Sequence, residues 1–525
     1  MSIMLEKLIF LWPEIIMLCG AVTVMLVGLS ASAAVRRSCT AITAGALVLA
    51  GVAVIITSDP AFIAQEKLDT QPNIAVYIKL AVVGIGVLLL MVAGTVTDKL
   101  AATRDSEGDA GKPFDPATSI RGEFFAFFLF SLTGVMLCAG AGDLAWLFLA
   151  LELVSLPTYV MIAVTRDRLI AQESAVKYFF LGALAVAIFL YGFALIYGAT
   201  GFTDFASIKA YLASEIAAGN GLSPLFITGL VLAIVGIAFK IAAAPMQFYA
   251  ADVYEGAATP VTAFLAFVPK TAGFIALMLL IDLVPGKLPE PVVVLLWVMA
   301  AVTMTYGNVM GLLQTSVKRM LAYSSIAHSG YMLVGLLAGS TLTTAALKNG
   351  HAGVLFYLVA YGLGNLAAFA VLSSLEAKGE EAETFDDLSG LSRRNPILAA
   401  IMLLSMLSLV GLPPLVGFLG KIYLFGPAVN DYTWLVVIAV LNSAISAVYY
   451  LRVVSVCYFS EPAPDTTVAD NPPRRTAAMI AALASLVIGV TGGWLVDAAK
   501  EATGQPVAKV KPAKTVEGGA TAVKP

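Results

Sequence analysis

Long apolar runs, separated by short polar segments, occupy most of the chain. A helix needs roughly 20 apolar residues to cross about 30 Å of hydrocarbon, and fourteen runs approach that length. They lie at about 8–29, 40–58, 74–97, 123–140, 144–164, 174–199, 223–246, 259–283, 291–312, 320–340, 350–375, 396–426, 432–459 and 475–498. Only helices satisfy every backbone group in lipid over such lengths, and continuous rather than alternating runs argue against a β-barrel. We predict an all-α polytopic membrane protein with about 14 transmembrane helices.

The composition supports a membrane protein rather than a set of soluble domains. Of 525 residues, 59% are hydrophobic and 12% are charged, and the mean hydropathy is +0.90. Soluble domains are about 45–50% apolar and about 25% charged. The net charge of −3 is too small to suggest nucleic-acid binding. The 4 cysteines have no metal-ligand or redox spacing and the 2 histidines lie in different segments, so we expect no metal or haem site.

The distribution of Lys and Arg between the loops predicts the orientation. One set of alternate loops carries fifteen of these residues, among them Arg36, Arg166 and Arg393, whereas the other set carries five before the C-terminal tail. The first set is therefore expected in the cytoplasm, which places both termini on the outer side. The tail over 499–525 is rich in Ala, Lys, Gly and Pro, and we predict that it is disordered.

Two similar stretches indicate an internal repeat with broken helices. Lys240 begins K-I-A-A-A-P and Lys421 begins K-I-Y-L-F-G-P, five predicted spans apart. An odd number of spans gives the two units opposite topology, and inverted repeats with broken helices are how many transporters build an ion site. The predicted divisions are an N-terminal three-helix segment with a loop (1–120), a first repeat of helices 4–8 (121–285), a second of helices 9–13 (286–460), a final helix (461–498) and the tail (499–525).

Three lysines lie deep inside predicted spans, where a charged side chain costs roughly 2.5–3.5 kcal/mol on insertion scales. Lys240 is followed by Pro245, Lys270 lies near the middle of its run, and Lys421 follows a double proline. One interpretation is that these long side chains reach an interface by snorkelling. The other is that each is a buried amine near a disrupted helix, where freed backbone groups and water form a proton path.

Three further ionisable residues are candidates. Glu152 is the one acid deep inside a predicted span, so its partner must come from another helix; a purely structural ion pair is the alternative. Lys177 follows Glu173 by four residues, the spacing of a surface pair on a helix, and a functional site is equally compatible. His328 lies mid-helix in S-S-I-A-H-S-G-Y, where it is either a hydrogen-bonded structural histidine or a proton relay.

Together, several buried lysines and one buried acid predict a proton switch. Burial disfavours the charged form of an ionisable group, and a nearby opposite charge restores it, so approach and withdrawal of Glu152 would drive transfer along a line of lysines. Lys79 and Arg452 lie about two turns from a helix end and are interpreted as snorkelling. The sequence has no P-loop, dinucleotide fingerprint or cysteine cluster, so the energy must come from an ion gradient or a partner.

Three ordered stretches resemble a known family. They are D-V-Y-E-G-A-A-T-P-V-T-A-F-L-A-F-V-P-K-T-A-G-F (252–274), R-M-L-A-Y-S-S-I-A-H-S-G-Y-M-L-V-G (319–335) and G-L-P-P-L-V-G-F-L-G-K-I-Y-L-F (411–425). Each resembles the antiporter-like membrane subunits of bacterial NADH:quinone oxidoreductase, respiratory complex I. The resemblance covers roughly 120–460. The D-V-Y-E-G-A form and the helix count resemble the subunit N branch; the L branch has a long lateral helix for which this chain has no room.

The resemblance implies roles for the candidate residues. Glu152 and Lys240 would form the charge pair of the first half-channel, with Lys177 in the network around Glu152. Lys270 would be the central relay. The remaining two matches, in the second half, are His328 and the channel lysine Lys421.

The resemblance also implies partners. This subunit would bind no cofactor, since FMN, iron–sulfur clusters and quinone belong to partner subunits. Antiporter-like subunit M and small membrane subunits would be its neighbours in a bacterial inner membrane. One departure concerns the family's P-F-H-x-W-x-P-D-V-Y pattern, where Gln247 and Tyr249 stand in place of the histidine and the tryptophan. Because glutamine cannot change protonation near pH 7, a relay at that histidine would need water or Lys240 here.

Two other functions remain open at this point. A subunit of a multi-subunit sodium/proton antiporter shares the fold and the buried Lys and Glu residues, although the D-V-Y-E-G-A form disfavours it. A structural spacer that pumps nothing is the third interpretation. Sodium/proton exchange without NADH distinguishes the first alternative, and pumping that survives loss of Lys240 distinguishes the second.

Overall fold

The computed structural model describes residues 10–58, 72–94, 120–166, 168–339, 350–377, 380–469 and 471–504. Within them the α-helices are α1 (Trp12–Gly28), α2 (Ala33–Thr57), α3 (Pro72–Ala93), α4 (Arg121–Ala139), α5 (Leu144–Thr165), α6 (Leu169–Thr200), α7 (Phe205–Ala217), α8 (Pro224–Ile237), α9 (Ala250–Gly256), α10 (Thr259–Ile281), α11 (Glu290–Leu312), α12 (Val317–Ala338), α13 (Gly350–Ser373), α14 (Leu391–Arg394), α15 (Pro396–Val410), α16 (Val416–Phe425), α17 (Thr433–Phe459), α18 (Pro472–Thr491) and α19 (Gly493–Ala502). Short 3₁₀ turns occupy Gln247–Tyr249, Asp386–Leu388 and Gly426–Ala428. The fold is a multi-pass helical bundle, as predicted.

The predicted number of fourteen spans is not confirmed. In the described part of the chain, 11 helices are long and apolar enough to cross a membrane, or up to 12 if α14 and α15, bent by 120° at their junction, count as one span. The predicted runs at 8–29 and 223–246 coincide with the shorter apolar helices α1 and α8. The run at 396–426 is divided between α15 and α16.

A small antiparallel sheet was not predicted. Its strands are β1 (Leu375–Ala377), β2 (Glu380–Glu381) and β3 (Thr466–Val468), in the order β2-β1-β3. Strands of two or three residues are too short for a periodic sequence signal. The sheet ties the loop after α13 to the loop before α18, and Leu375 pairs with Val468.

Both predicted helix breaks are present. α8 ends at Ile237, and an irregular segment, in which Ala242 has a φ of 52°, leads to the 3₁₀ turn at Gln247–Tyr249. α15 ends at Val410, and α16 begins only at Val416. Prolines at both breaks lack the backbone N–H that would continue the helix. Lys240 lies inside the first break, and Lys421 lies in the second turn of α16.

The helices on either side of these breaks occur in two comparable sets of five segments. The first set is α4, α5, α6, the broken α8–α9 and α10; the second is α11, α12, α13, the broken α15–α16 and α17. In each set the first two helices pack against each other and the third packs against the broken helix. The division of the chain into repeats at 121–285 and 286–460 stays a prediction. The last predicted helix is two helices, α18 and α19, and α19 continues to Ala502.

The central helices carry the candidate residues. α10 and α12 are buried along their whole length, whereas only about a third of α6, α17 and α18 is buried. Large apolar side chains such as Leu441 and Phe180 are exposed on the outer helices, as expected where helices face lipid. The N-terminal helices pack closely on this bundle, because a Cβ on Gly28 would lie 2.4 Å from the Gly122 Cα. Small residues allow such close backbone approach between membrane helices.

Candidate functional site

The first ionisable pair joins α5 to the break after α8. Lys240 Nζ lies 3.3 Å from Glu152 Oε1 and also donates to Ser155 Oγ. The lysine side chain is 1% exposed and the glutamate side chain 17% exposed. Ser155 follows Glu152 by three residues, so both side chains lie on one face of α5. The structure therefore brings together the two residues that the family resemblance implied as partners.

Side chains from other segments satisfy the backbone groups that the first break frees. The Tyr249 hydroxyl donates to Phe239 O at 2.6 Å, and Ser329 Oγ donates to Ile241 O at 2.5 Å. The Ala244 N–H donates to Thr303 Oγ1 at 2.9 Å. Buried backbone groups need such partners. Ser329 and Thr303 belong to the second set of helices, so the break around Lys240 is held partly by the opposite repeat.

Lys270 lies close to this break. Its Nζ donates to Ser329 Oγ at 2.8 Å and to the Ser325 carbonyl oxygen. Ser329 thus contacts both Lys270 and Ile241, the residue after Lys240. Lys240 and Lys270 also line one small cavity, together with aromatic side chains that include Tyr178, Tyr249 and Tyr254. The two lysines therefore line the same cavity, which the sequence did not predict.

His328 is fully enclosed on α12 and contacts two tyrosines. Its Nδ1 is 2.7 Å from the Tyr357 hydroxyl, and its Nε2 is 2.9 Å from the Tyr450 hydroxyl. Tyr450 is in turn hydrogen-bonded to Ser324 Oγ. The sequence left open whether His328 is structural or a relay. The tyrosines lie on α13 and α17, too far along the chain for sequence spacing to predict the contact.

Lys421 lies in the second repeat. Its Nζ donates to Val410 O at 2.6 Å, at the end of α15, and to Ser443 Oγ at 2.7 Å on α17. The amine also lies 5.2 Å from the centroid of the Tyr331 ring. A groove of about 510 Å³ runs past Lys421 between α16 and α17. Lys421 is thus a buried amine beside the helix break that the sequence predicted.

Lys177 belongs to an ion pair at the surface. Its Nζ lies 2.7 Å from Glu173 Oε1 and 3.0 Å from Asp252 Oδ2, and its side chain is 44% exposed. The structure therefore places Lys177 in the surface pair that the i,i+4 spacing indicated, where two nearby carboxylates hold the ammonium group at a partly exposed position. Its role in the network around Glu152 stays a prediction.

Two sequence predictions need correction. Lys79 is not a snorkelling residue, because its Nζ is 2.7 Å from Glu14 Oε1 and donates to Phe10 O at 3.0 Å. Glu14 is 2% exposed, so Glu152 is not the one buried acid. Arg452 does lie at an exposed position, where it stacks over Phe385 at 4.2 Å.

A network of ion pairs covers one end of the bundle. Arg166 Nη2 lies 2.7 Å from both Glu381 Oε2 and Glu383 Oε1, and Lys318 Nζ lies 3.1 Å from Glu383 Oε1. Glu381 also accepts from the Thr259 N–H at 2.9 Å. Arg166 follows α5, Thr259 begins α10, and the glutamates follow α13. The network therefore ties the ends of the two repeats together.

The two acids of the D-V-Y-E-G-A stretch belong to the same end. Asp252 Oδ1 lies 3.1 Å from Arg319 Nη1, which also pairs with Glu255, and Asp252 Oδ2 binds Lys177. Gly256 has no room for a side chain, because a Cβ would lie 2.1 Å from Ser174 Oγ. Both acids of this stretch are thus held in ion pairs.

The charge on Glu381 is expected to make this end of the protein acid-sensitive. Burial alone would raise the pKa of Glu381, but Arg166 and Lys318 reverse that effect and hold the pKa at about 2. A carboxylate whose pKa is lower in the folded state stabilises the fold above its unfolded pKa, and this stability is lost as the pH falls through the folded value. The window therefore extends from about pH 4.5 down to about pH 2.

Thermal unfolding of the detergent-solubilised protein in its native assembly, measured between pH 6 and 3, tests this expectation. Glu381→Gln should unfold at a lower temperature than the wild type at pH 6, and the difference should shrink as the pH falls. Glu461→Gln is the control, since Glu461 is 86% exposed in its pair with Arg393. A Glu381→Gln difference that is constant with pH would contradict the prediction.

Among the described residues, no group of three or more His, Cys, Asp or Glu side chains could hold a metal ion. The ionisable and polar groups described above are buried amines, hydroxyls, an imidazole and a carboxylate, and groups of these kinds can exchange protons.

Comparison with known proteins identifies close relatives. Residues 141–446 match the family model described as NADH:quinone oxidoreductase/Mrp antiporter, TM. The chain is 42% identical over 386 residues, 73% of this chain and 77% of the relative, to NADH-quinone oxidoreductase subunit N of Trichlorobacter lovleyi. It is 36% identical over 499 residues, 94% of this chain and 96% of the relative, to the protein of that name in Alkalilimnicola ehrlichii.

A solved structure shows the same fold. A chain of respiratory complex I from Thermus thermophilus, determined with bound aureothin, superimposes with a TM-score of 0.72 and 30% sequence identity. The match covers 92% of this chain and 98% of that chain.

Proposed function

The chain belongs to the NADH:quinone oxidoreductase/Mrp antiporter membrane family, and from this premise we propose that it is a proton-translocating subunit of a bacterial NADH:quinone oxidoreductase. The observation that carries the proposal is the ion pair between Lys240, buried inside a broken helix, and Glu152 on α5. A structural helix break needs no ionisable group. A charge at membrane depth is costly, so an ionisable residue there indicates a functional site. Lys270 in the first repeat and Lys421 in the second are further buried amines.

The proposed cycle begins with the proton on Lys240. While Glu152 is in contact, the carboxylate stabilises the ammonium form; when the contact opens, burial disfavours that form and the proton leaves. The shared cavity and Ser329 give the proton a route from Lys240 to Lys270. Lys421 then passes the proton on from the second repeat. In the proposed cycle, His328 lies between Lys270 and Lys421. Lys177 belongs to the charged end of the bundle, where it pairs with Glu173 and Asp252.

The energy for this cycle comes from partner subunits. Moving one charge through the membrane field costs about 2.3 kcal/mol per 100 mV, and the proposed source is quinone reduction in subunits that carry FMN and iron–sulfur clusters. This chain would carry no redox centre. We place it in the inner membrane with both termini on the periplasmic side, beside antiporter-like subunit M and small membrane subunits.

Purification of the assembly through a tag on this chain tests the proposal. We expect NADH:quinone reductase activity and iron–sulfur signals to co-purify with the chain, and the reconstituted material to pump protons when NADH is added. The control is the same vesicles with a protonophore, which should abolish the gradient but not the electron transfer.

An intact assembly without NADH oxidation or iron–sulfur signals, which instead exchanges sodium for protons, would refute this proposal and favour an antiporter subunit. The family model covers both kinds of protein. The named relatives favour the oxidoreductase.

A further inference from the structure

The two backbone carbonyls on either side of Lys240 each accept a hydrogen bond from a side-chain hydroxyl. The Tyr249 hydroxyl donates to Phe239 O at 2.6 Å, and Ser329 Oγ donates to Ile241 O at 2.5 Å. The chain is irregular here, and buried carbonyls outside a helix or sheet need such donors. The two hydroxyls therefore fix the backbone that carries Lys240.

The Ser329 hydroxyl has a second contact, which is a lysine. Lys270 Nζ donates to Ser329 Oγ at 2.8 Å and also to the Ser325 carbonyl oxygen. A serine hydroxyl has one hydrogen to donate, and Ser329 is 0% exposed, so bulk water does not compete for it. Another acceptor within reach is Ser325 O at 3.2 Å, which Lys270 already binds. The direction of the Ser329 hydroxyl therefore depends on Lys270.

A charged and a neutral Lys270 favour different directions. An ammonium group has three donors and no acceptor, so a charged Lys270 can only donate to Ser329 Oγ, and the hydroxyl hydrogen points to Ile241 O. A neutral amine has a free lone pair, which accepts the Ser329 hydrogen. One hydrogen cannot serve both acceptors, and a buried carbonyl that loses its donor is costly. The backbone beside Lys240 is therefore stabilised most while Lys270 is charged.

Close packing links a movement of Ile241 to Lys240. A Cβ on Gly273 of α10 would lie 2.6 Å from Ile241 Cγ2 and 3.0 Å from Lys240 Cβ, so α10 packs directly against both residues. Lys240 Nζ is 3.3 Å from Glu152 Oε1. A displacement of the backbone at Ile241 therefore changes the distance between this amine and the carboxylate.

We propose that Ser329 is a positioning residue that couples the charge on Lys270 to the contact between Lys240 and Glu152. While Lys270 is charged, Ser329 holds Ile241 O and the ion pair is closed. When Lys270 is neutral, the hydroxyl turns to the Lys270 nitrogen, the backbone at Ile241 is released and the pair opens. This turn transfers no proton, since the hydroxyl keeps its hydrogen and changes only its acceptor. The inference rests on the proposed function, in which Lys270 loses and regains a proton.

This coupling sets an order in the proposed cycle. Lys240 releases its proton only after Lys270 has lost its own, so the receiving amine is neutral when the proton arrives. The two lysines line one small cavity, where two ammonium groups would repel each other. The order avoids that state.

Hydrogen exchange of the break segment, defined as residues 238–246, tests the resting state of the assembled complex in detergent. Ser329→Ala removes the donor to Ile241 O, and we expect exchange to become about twofold to tenfold faster, the net contribution of one hydrogen bond. Ser405→Ala is the matched control, because Ser405 is 1% exposed and donates to Gly364 O at 2.6 Å, between α15 and α13. It should leave the exchange of the break segment unchanged.

Turnover separates coupling from a merely structural role. With NADH and quinone added, Lys270 is neutral for part of the cycle, so exchange of the break segment should rise in the wild type and in Ser405→Ala. In Ser329→Ala it should be fast from the start and show no further rise. Tyr249→Phe should also exchange faster at rest, but its rise with NADH should persist, because the Tyr249 hydroxyl holds the other carbonyl, Phe239 O.

Two variants of equal shape isolate the effect of the hydroxyl. Ser329→Thr and Ser329→Val add the same bulk, but only threonine keeps a donor. We expect the threonine variant to keep the rise in exchange with NADH, and to pump about twofold to tenfold faster in vesicles than the valine variant. If Ser329→Ala fails to assemble, this pair provides the test.

The coupling and the proposed function fail on different results. If Ser329→Ala leaves the exchange unchanged, if exchange rises with NADH as much in Ser329→Ala as in the wild type, or if the threonine and valine variants behave alike, Ser329 does not couple the two sites and the proposed function stands. If Lys240→Ala and Lys270→Ala both pump as the wild type does, the proposed function fails, and the coupling fails with it.

Discussion

Lys240→Ala is expected to lower NADH-driven proton pumping by the assembled complex about tenfold or more, because a positioned proton-transfer group contributes about 10²–10⁴-fold. The substitution removes the amine that binds Glu152 and Ser155 and leaves the carboxylate without its cation. Pumping should be measured in vesicles as acidification per NADH oxidised, at matched amounts of assembled complex. Electron transfer with a protonophore present reports whether the redox subunits are intact.

Lys240→Arg tests whether a positive charge at this position is sufficient or whether the side chain must also release its proton. Arginine keeps a positive charge near Glu152 but is not deprotonated in proteins, so this variant should also fail to pump. Lys209→Ala is the matched control, because Lys209 is an exposed lysine on α7. Normal pumping by Lys240→Arg would show that only the charge matters, and normal pumping by Lys240→Ala would favour a spacer subunit.

The main features of the fold and of the first pair were accessible from the sequence for simple physical reasons. Membrane spans are long, and their apolar composition is unambiguous. A proline and a lysine at the same depth, as at Lys240 and Pro245, contradict the apolar pattern, and the structure has a helix break there. The position of Glu152 required a partner from another helix, and the family resemblance implied that this partner is Lys240.

What the sequence could not predict depends on how distant segments meet. Glu14 lies near the start of α1, a position compatible with an exposed interface, and only packing against α3 buries it beside Lys79. The resemblance implied that Lys177 belongs to the Glu152 network, and its contact with Asp252 was not predicted. The tyrosines around His328 come from α13 and α17. Since their contact depends on tertiary structure, no periodicity along the chain reports it.

The second large effect is expected at the charged end of the bundle. Arg166→Ala should lower the free energy of unfolding by about 3–5 kcal/mol, the cost of breaking a buried ion pair by removing one partner. Arg166 is paired with both Glu381 and Glu383, and its side chain is 10% exposed. Without it, Lys318 would be the remaining cation beside Glu383. Thermal unfolding and the yield of assembled complex measure the loss.

Arg393→Ala provides the matched comparison, since it also breaks an arginine–glutamate pair at 3.0 Å, but with side chains that are 57% and 86% exposed. Exposed pairs contribute about 0–1 kcal/mol, so this variant should resemble the wild type. Adding Glu381→Gln to Arg166→Ala should recover part of the stability, because it removes a carboxylate left without its arginine. Because Arg166 follows the helix that carries Glu152, and Glu381 follows α13 of the second repeat, the pair holds the two repeats together at this end. If Arg166→Ala is no more destabilising than Arg393→Ala, the ion pairs of Arg166 do not contribute to holding the repeats together.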